Sequence, residues 1–470
     1  MKKNYILHLR KKSYITYISI KNDMDGNFLS IEQNRTIMKN YIILLVSLIF
    51  ITSCVTLSEQ EAENKILAIA DNQKSGSYKN VVIENGHFTH YVVCKYYQTV
   101  PKEILAFTKL KRLTISFNKE MTSIPEFINK YDSLYELNIM YNGVTKINDD
   151  AFHIPTLKVM DLCDNLLQDL PTSIQDLDNL KSLDLSNNKF TTFPKEILSL
   201  KNLKVLNLTG NQISTLPDEI GELENLEELY LRGNPIAELP ASFKKLKKLK
   251  ILWSDDTKLK HFPKMLCEMK SLEKILINAD TLNIPTEIDQ LRNLDKIRMY
   301  DGYVPSLPSS IGNLSKLETF HFKNCDLSKV TFHSSFKNLD HLRMFEIENG
   351  NISTFPSFLT DLDSLKTLGL IGNRELVALQ EGLVKCTILE QLDINHNSLK
   401  SLPIDIGYIK KLHYLNIEGN RLTTLPVSLR YNKANLAILY YGNPWQWLPK
   451  ELVDNFETNT GRGLPPGEVR

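Results

Sequence analysis

LKVLNLTGNQISTLPDEIGELEN, the stretch from Leu203 to Asn225, is one complete copy of a unit that recurs along most of the chain. The copies follow the pattern L-x-x-L-x-L-x-x-N-x-L-x-x-L-P-x-x-I, and most begin 23 residues after the copy before. Their first residues are Leu110, Leu134, Leu157, Leu180, Leu203, Leu226, Leu249, Leu272, Leu294, Leu317, Leu342, Leu365, Leu389, Leu412 and Asn435. With a degenerate copy near His87 to Leu105, which we expect to cap the start, the chain has about 15–16 repeats.

Each copy divides into a strand, a turn and an outer segment. Leu206 and Leu208 alternate with polar residues, which is the period of a strand with one buried face. The residue before Pro217 is biased away from helix, so the extended piece ends there. Because one copy cannot bury its own apolar face, neighbours must stack. The pattern predicts an α/β solenoid, with a curved parallel sheet on its concave face and short helices or turns on its convex face.

An asparagine occupies the ninth position of the regular copies, where its amide can bond backbone groups that the turn leaves unpaired. This structural role is predicted for Asn118, Asn142, Asn165, Asn188, Asn211, Asn234, Asn373, Asn397, Asn420 and Asn443. In the middle copies the position holds Thr257, Asp280, Gly302, Cys325 and Gly350 instead. The middle of the array therefore departs from its own pattern.

The third, fifth and seventh residues of each copy do not belong to the apolar core, and we expect them on the concave face. At the fifth position, small polar residues give way to large ones between Tyr230 and His321. We predict an exposed partner-binding cluster there, since Tyr, Trp and Arg often carry interface energy. Its members are Tyr230, Trp253, Arg298, Tyr300, His321 and Lys323. The alternative is that the sequence of these irregular repeats has drifted without a binding role, and that the aromatic side chains only stack on one another across strands.

The repeat pattern resembles that of the leucine-rich-repeat family over roughly residues 87–455. This resemblance implies a protein-binding scaffold rather than an enzyme. The Pro-containing copies are similar both to those of bacterial surface lipoproteins and to those of eukaryotic cytosolic Ras-group scaffolds.

Residues 38–54, MKNYIILLVSLIFITSC, have the charged, apolar and small-residue order of a secretory signal. The apolar run from Tyr41 to Ile51 spans only ~17 Å as a helix, which is too short for a bilayer core of ~30 Å. The segment resembles a bacterial lipoprotein signal peptide, with Ile51 to Cys54 as its lipobox. The resemblance implies cleavage before Cys54 and lipid attachment to its sulfur, and so a membrane anchor.

The sequence thus predicts five segments. Residues 1–37 are an upstream extension, with translation expected to begin at Met38, and 38–53 are the lipoprotein signal peptide. Residues 54–86 form a polar tether or N-terminal cap, 87–455 the repeat domain, and 456–470 a polar tail.

Composition and motifs argue against several function classes. A formal net charge of +1 gives no field that favours nucleic acid. The six cysteines form no CxxC pair and are expected mostly as buried side chains. The chain has no P-loop, HExxH or GxSxG motif, so we predict no catalytic residue, metal, cofactor or small-molecule substrate. Asp255 and Asp256 are interpreted as solvated turn charges.

Two functions remain open. The first is a lipid-anchored protein of the bacterial cell envelope, on the outer membrane or cell surface, that binds a host or cell-surface protein. The alternative is a cytoplasmic scaffold for signalling complexes, with the apolar run misread as an export signal.

Overall fold

The computed structural model describes residues 18–20, 61, 81–84, 87–94, 102–432, 434–448 and 468–469. The predicted signal peptide at 38–53 and Cys54 lie outside these residues. Contacts divide the chain into two compact units, one of Met1–Ile213 with Glu222–Leu229 and one of Ser214–Gly221 with Tyr230–Arg470. We call them unit 1 and unit 2.

Nearly every repeat contributes one short strand near its start. The strands are β1 Ile18–Ile20, β2 Val81–Glu84, β3 His87–Cys94, β4 Arg112–Ser116, β5 Glu136–Met140, β6 Val159–Asp161, β7 Ser182–Asp184, β8 Val205–Asn207, β9 Glu228–Tyr230, β10 Ile251–Ser254, β11 Lys274–Asn278, β12 Lys296–Tyr300, β13 Thr319–Lys323, β14 Met344–Glu348, β15 Thr367–Ile371, β16 Gln391–Asp393, β17 Tyr414–Asn416, β18 Ala437–Leu439, β19 Trp447–Leu448 and β20 Glu468–Val469.

The outer segments form single turns of 3-10 helix, most of which follow the repeat's proline. They are Lys102–Ala106, Glu126–Lys130, Thr172–Asp176, Lys195–Ser199, Asp218–Glu222, Ala241–Lys245, Lys264–Glu268, Thr286–Gln290, Ser309–Asn313, Ser334–Asn338, Ser357–Asp361, Leu383–Lys385, Ile406–Tyr408 and Val427–Tyr431. A single 3-10 turn is narrower than an α-helix, which suits repeats held at the ~4.8 Å spacing of neighbouring strands. Among the described residues, no helix is long and apolar enough to span a bilayer.

In unit 1, strands β3 to β8 pair in parallel, each with the next along the chain. Ahead of this series, β2 runs antiparallel to its first strand, β3. The strand β2 lies in the segment predicted as a tether or cap. Leu137, Met160, Leu183 and Leu206 follow one another in register and are fully buried.

In unit 2, strands β10 to β18 also pair in parallel and in chain order. One buried row crosses them in register, formed by Leu252, Ile275, Ile297, Phe320, Phe345, Leu368, Leu392, Leu415 and Ile438. The α/β repeat fold predicted from the sequence is therefore confirmed within each unit.

The repeat that begins at Leu180 shows how the core is built. Leu183 and Leu185 from its strand are fully buried, as are Phe190 after the turn and Ile197 from the 3-10 helix. The N–H of Leu185 donates to the carbonyl of Asn207 in the next repeat, at 2.8 Å. Adjacent repeats are therefore joined by both backbone hydrogen bonds and a shared apolar interior.

Among the fifteen copies that begin at Leu110 to Asn435, the residue just before the ninth position has a left-handed backbone in all except the one beginning at Leu272. These residues are Phe117, Tyr141, Asp164, Asn187, Gly210, Gly233, Asp256, Asp301, Asn324, Asn349, Gly372, His396, Gly419 and Gly442. Gly, Asn and Asp tolerate this region best, and they fill most of the positions. The exception is Ala279, whose repeat is one residue short.

Candidate functional site

The turn asparagines form a ladder of side-chain hydrogen bonds. In unit 1, Asn188 donates to the carbonyls of Leu162 and Leu185, each at 3.0 Å, and accepts the N–H of Leu167 at 3.0 Å. In unit 2, Asn420 donates to Ile394 and Ile417 and accepts from Leu399. Each such side chain satisfies buried backbone groups of its own repeat and of the one before it.

Repeats of unit 2 that lack this asparagine satisfy the turn differently. The Cys325 thiol donates to the Met299 carbonyl at 3.3 Å, and Thr257 Oγ1 donates to the Ser254 carbonyl at 2.8 Å. Strands β11 to β15 are five residues long, against three in β16 to β18. Extra bridges also link His261 to Thr281 and Tyr303 to Asp326. The hydrogen-bonded ladder of unit 2 is therefore longer from β11 to β15, a stretch that includes four of the irregular repeats, than from β16 to β18.

The exposed sheet face of unit 2 carries the six residues predicted to bind a partner. Tyr230 and Trp253 form an edge-to-face pair with ring centroids 4.9 Å apart, and Trp253 is 37% exposed. Next along the face, Leu276 is in register with Trp253 on one side and Arg298 on the other, and it is buried. The aromatic pair therefore adjoins the remaining predicted residues across a single apolar side chain.

His321 corrects the prediction of one fully exposed cluster, because only 6% of it is accessible. It is in register with Arg298 and Glu346 on the neighbouring strands. The Tyr300 ring packs edge-on against the imidazole, with ring centroids 5.6 Å apart. The long side chains on both sides close over the imidazole. The face at this point is a filled polar layer rather than an open aromatic patch.

Two glutamates that were not among the predicted site residues complete this layer. His321 Nε2 lies 3.2 Å from Glu348 Oε1, and Nδ1 lies 3.9 Å from a carboxylate oxygen of Glu346. Lys323 Nζ is 2.8 Å from Glu348 Oε2. Both glutamates sit at the fifth and seventh positions of their repeat, so sequence placed them on this face. Strand register brings them to a histidine that lies 25 residues before Glu346 and 27 before Glu348.

Burial sets the charge states here. It lowers the pKa of His321 to about 4, an effect that Arg298 and Lys323 reinforce and Glu348 opposes. Burial also raises the pKa of Glu346, and the neighbouring Glu348 adds to the shift. A hydrogen bond with Glu348 raises the pKa of Lys323. At neutral pH the imidazole is thus uncharged and flanked by carboxylates.

His321, Glu346 and Glu348 are also the group of described residues that could hold a metal ion, with one ligand atom from each all within 4.8 Å of one another. We call these three residues the His–Glu cluster. No local spacing in the sequence indicated it, because its members come from two different repeats.

A second ion pair borders the aromatic pair. Arg232 Nε lies 3.2 Å from Asp255 Oδ2, and Asp255 is only 4% exposed. Burial raises the pKa of Asp255, while Arg232 opposes the shift. The interpretation of Asp255 as a solvated turn charge was wrong, because its side chain lies against the sheet where the strand ends.

Family comparisons agree with the repeat register. A family model described as Leucine-rich repeat region matches residues 199–370, and one described as Leucine rich repeat matches residues 132–190. No curated protein matches the sequence.

Several solved structures share the fold. A leucine-rich-repeat protein of Leptospira interrogans is 29% identical, with a TM-score of 0.68, over 80% of this chain and 93% of that chain. An internalin of Listeria monocytogenes is 21% identical, with a TM-score of 0.56, over 64% of this chain and 85% of that chain.

A plant peptide hormone receptor, RGFR1, was solved in complex with RGF2. It is 24% identical, with a TM-score of 0.58, over 76% of this chain and 63% of that chain. Leucine-rich-repeat proteins are typically binding scaffolds rather than enzymes. The repeat register, the parallel sheets and these matches together show that the chain is a leucine-rich-repeat protein.

Proposed function

We propose that the sheet face of unit 2 between Tyr230 and Glu348 binds a protein partner. The observation that carries this proposal is Trp253, which stands 37% exposed near one end of a face whose strands β12 to β14 bear mixed charges. An exposed indole braced by a second ring is the kind of anchor that dominates protein interfaces.

The surrounding residues suit a protein surface better than a polyanion. Arg298 and Lys323 are offset by Glu346 and Glu348, so the face has no strong field of one sign. Tyr230 and Tyr300 add apolar area with a polar end. A partner would place apolar side chains over the aromatic pair and complementary charges over the polar layer.

The fold of unit 2 supports this use. Its parallel strands present the third, fifth and seventh residues of each repeat side by side, at ~4.8 Å intervals. A protein of the same fold, the plant peptide hormone receptor RGFR1, was solved in complex with RGF2.

A matched pair of double variants tests the proposal. Trp253→Ala with Tyr300→Ala removes two rings from the face, whereas Tyr408→Ala with Tyr431→Ala removes an exposed stacked pair among the 3-10 helices. Each protein would be used to capture partners from surface-labelled host and bacterial cells, followed by affinity measurement with the purified partner. We expect at least a tenfold loss with the first double variant and none with the second. Equal affinity of the first variant and the parent would overturn the proposal.

We further propose that the protein is a lipid-anchored component of a bacterial envelope. The support is the sequence of residues 38–54, with Cys54 as the lipid attachment point. The competing location is the cytoplasm, where the chain would act as a signalling scaffold. Metabolic labelling with palmitate discriminates between the two. Label lost in Cys54→Ala but kept in Cys94→Ala supports the anchor, and an unlabelled parent protein refutes it.

A further inference from the structure

We propose that the His–Glu cluster is a binding site for one divalent transition-metal ion, with Zn²⁺ the best match to its ligands. The site would lie on the sheet face of unit 2, beside the surface proposed to bind a partner. It goes beyond that function, because metal binding requires no partner.

The first support is geometry. His321 on β13 is in register with Glu346 on β14, and Glu348 follows two residues later on the same side of the same strand. One ligand atom from each residue lies within 4.8 Å of the other two. A tetrahedral zinc site needs ligand atoms ~3.4 Å apart, given metal bonds of ~2.0–2.2 Å. Binding would therefore draw the two glutamate carboxylates closer to His321 than they stand in this structure.

The second, independent support is the state of His321. Its ring is more than nine-tenths buried, and neither Nδ1 nor Nε2 has a hydrogen-bond partner. Nε2 faces a carboxylate oxygen 3.2 Å away, without the alignment of a hydrogen bond. Buried polar atoms in native proteins are almost always satisfied. A cation between one imidazole nitrogen and the two carboxylates would satisfy that nitrogen and both carboxylates, while the other ring nitrogen carries the proton.

The neighbouring strand shapes the position of Glu346. Gly369 is in register with Glu346 on the following strand, and a Cβ at Gly369 would stand 3.0 Å from Glu346 Cγ. The glycine therefore allows Glu346 to lean over the next strand. On Glu348, Lys323 engages Oε2, while Oε1 points toward His321. One oxygen of Glu348 is thus available to a metal while the other keeps its ammonium partner.

The ligand types favour zinc over harder ions. One imidazole nitrogen with two carboxylate oxygens suits Zn²⁺, whereas Ca²⁺ and Mg²⁺ prefer sites made entirely of oxygen. Three protein ligands leave a fourth coordination position for water or another ligand. A carboxylate or imidazole from a bound protein could fill that position.

The test is zinc titration of the untagged full-length chain, purified with a chelator and then freed of it. Isothermal titration calorimetry gives the stoichiometry, and Co²⁺ substitution gives a visible absorption band that reports the ligand field. The variants are His321→Gln and the double variant Glu346→Gln with Glu348→Gln, which keep side-chain shape. The controls are His396→Gln, an exposed histidine of unit 2, and Glu418→Gln at the seventh position of another repeat. Circular dichroism confirms that each variant is folded.

We expect one zinc ion per chain in the parent, with at least a hundredfold weaker binding in His321→Gln and in the double glutamate variant. His396→Gln and Glu418→Gln should bind as the parent does. The proposal is overturned if the parent shows no saturable binding, or if binding survives in the folded cluster variants. Neither result depends on finding a partner, so failure here is distinguishable from failure of the proposed function.

Discussion

The side-chain oxygen of Asn397 accepts the backbone N–H of Asn373 at 2.8 Å, one repeat earlier. The Asn397 amide also donates to the carbonyls of Leu370 and Ile394, at 2.6 Å and 2.7 Å. A single buried side chain thus satisfies three backbone groups from two repeats. The asparagine ladder is therefore a stabilising element between repeats and not only a turn former.

Replacing Asn397 with Ala should destabilise the protein by about 1–3 kcal/mol or more, because buried backbone groups lose their partners. The measurement is the midpoint of urea unfolding followed by circular dichroism. The control is Asn313→Ala, because the exposed Asn313 side chain donates a hydrogen bond to the Asp289 carboxylate. This variant should leave the unfolding midpoint nearly unchanged. Equal midpoints for the two variants would contradict this role.

Gly372→Ala should be more costly than Gly382→Ala. Both glycines have positive φ, +69° and +98°, so each variant carries the left-handed penalty of about 1–2 kcal/mol. Only at Gly372 would the new methyl group meet another residue, since its Cβ would be 2.1 Å from Asn349 Oδ1. At Gly382 the nearest atom is 3.8 Å away. Thermal unfolding of both variants isolates the clash, and a larger loss at Gly382 would be inconsistent with it.

Leu206→Ala should cost about 2–5 kcal/mol, because Leu206 is fully buried in the row shared with Leu183. Ile404→Ala is the matched control, since Ile404 is 77% exposed and surface changes usually stay within about 0.5 kcal/mol. Urea unfolding of both variants measures the difference. Similar stability in the two would mean that the repeats do not share one interior.

Asp255→Asn should stabilise the protein at neutral pH. Burial raises the pKa of Asp255 in the folded state, so that state takes up a proton at higher pH than the unfolded chain does. The contribution of this carboxyl to stability is therefore present at low pH and is lost as pH rises through the raised pKa. An amide keeps the shape without the charge.

The gain from Asp255→Asn should accordingly be largest at pH 7 and shrink as the pH approaches the unfolded value of 3.8. The measurement is the urea midpoint at several pH values. Asp256→Asn, next along the chain and exposed, is the control and should leave the midpoint at pH 7 nearly unchanged. A loss of stability at pH 7 in Asp255→Asn would show that the pair with Arg232 outweighs burial.

Sequence alone determined the repeat, its register and the identity of the core. A recurring unit with apolar residues at the positions of Leu206 and Leu208 can bury its apolar side only by stacking on its neighbours. The parallel arrangement of the strands follows from that stacking. The ninth-position asparagines were also recognisable, because a turn leaves backbone groups that only a short polar side chain can reach.

The tertiary structure alone decided which face residues are accessible and which are joined. Trp253 remains exposed while His321 is covered, although both occupy the fifth position of a repeat. The difference depends on side chains that come from the neighbouring repeats, such as Glu346 and Tyr300 around His321. Strand register brings together residues about two dozen positions apart in sequence. The size of the side chains on the neighbouring strands then determines whether a residue is buried. The periodic pattern of one repeat determines which face of the sheet a side chain lies on. Its surroundings depend also on the repeats before and after it.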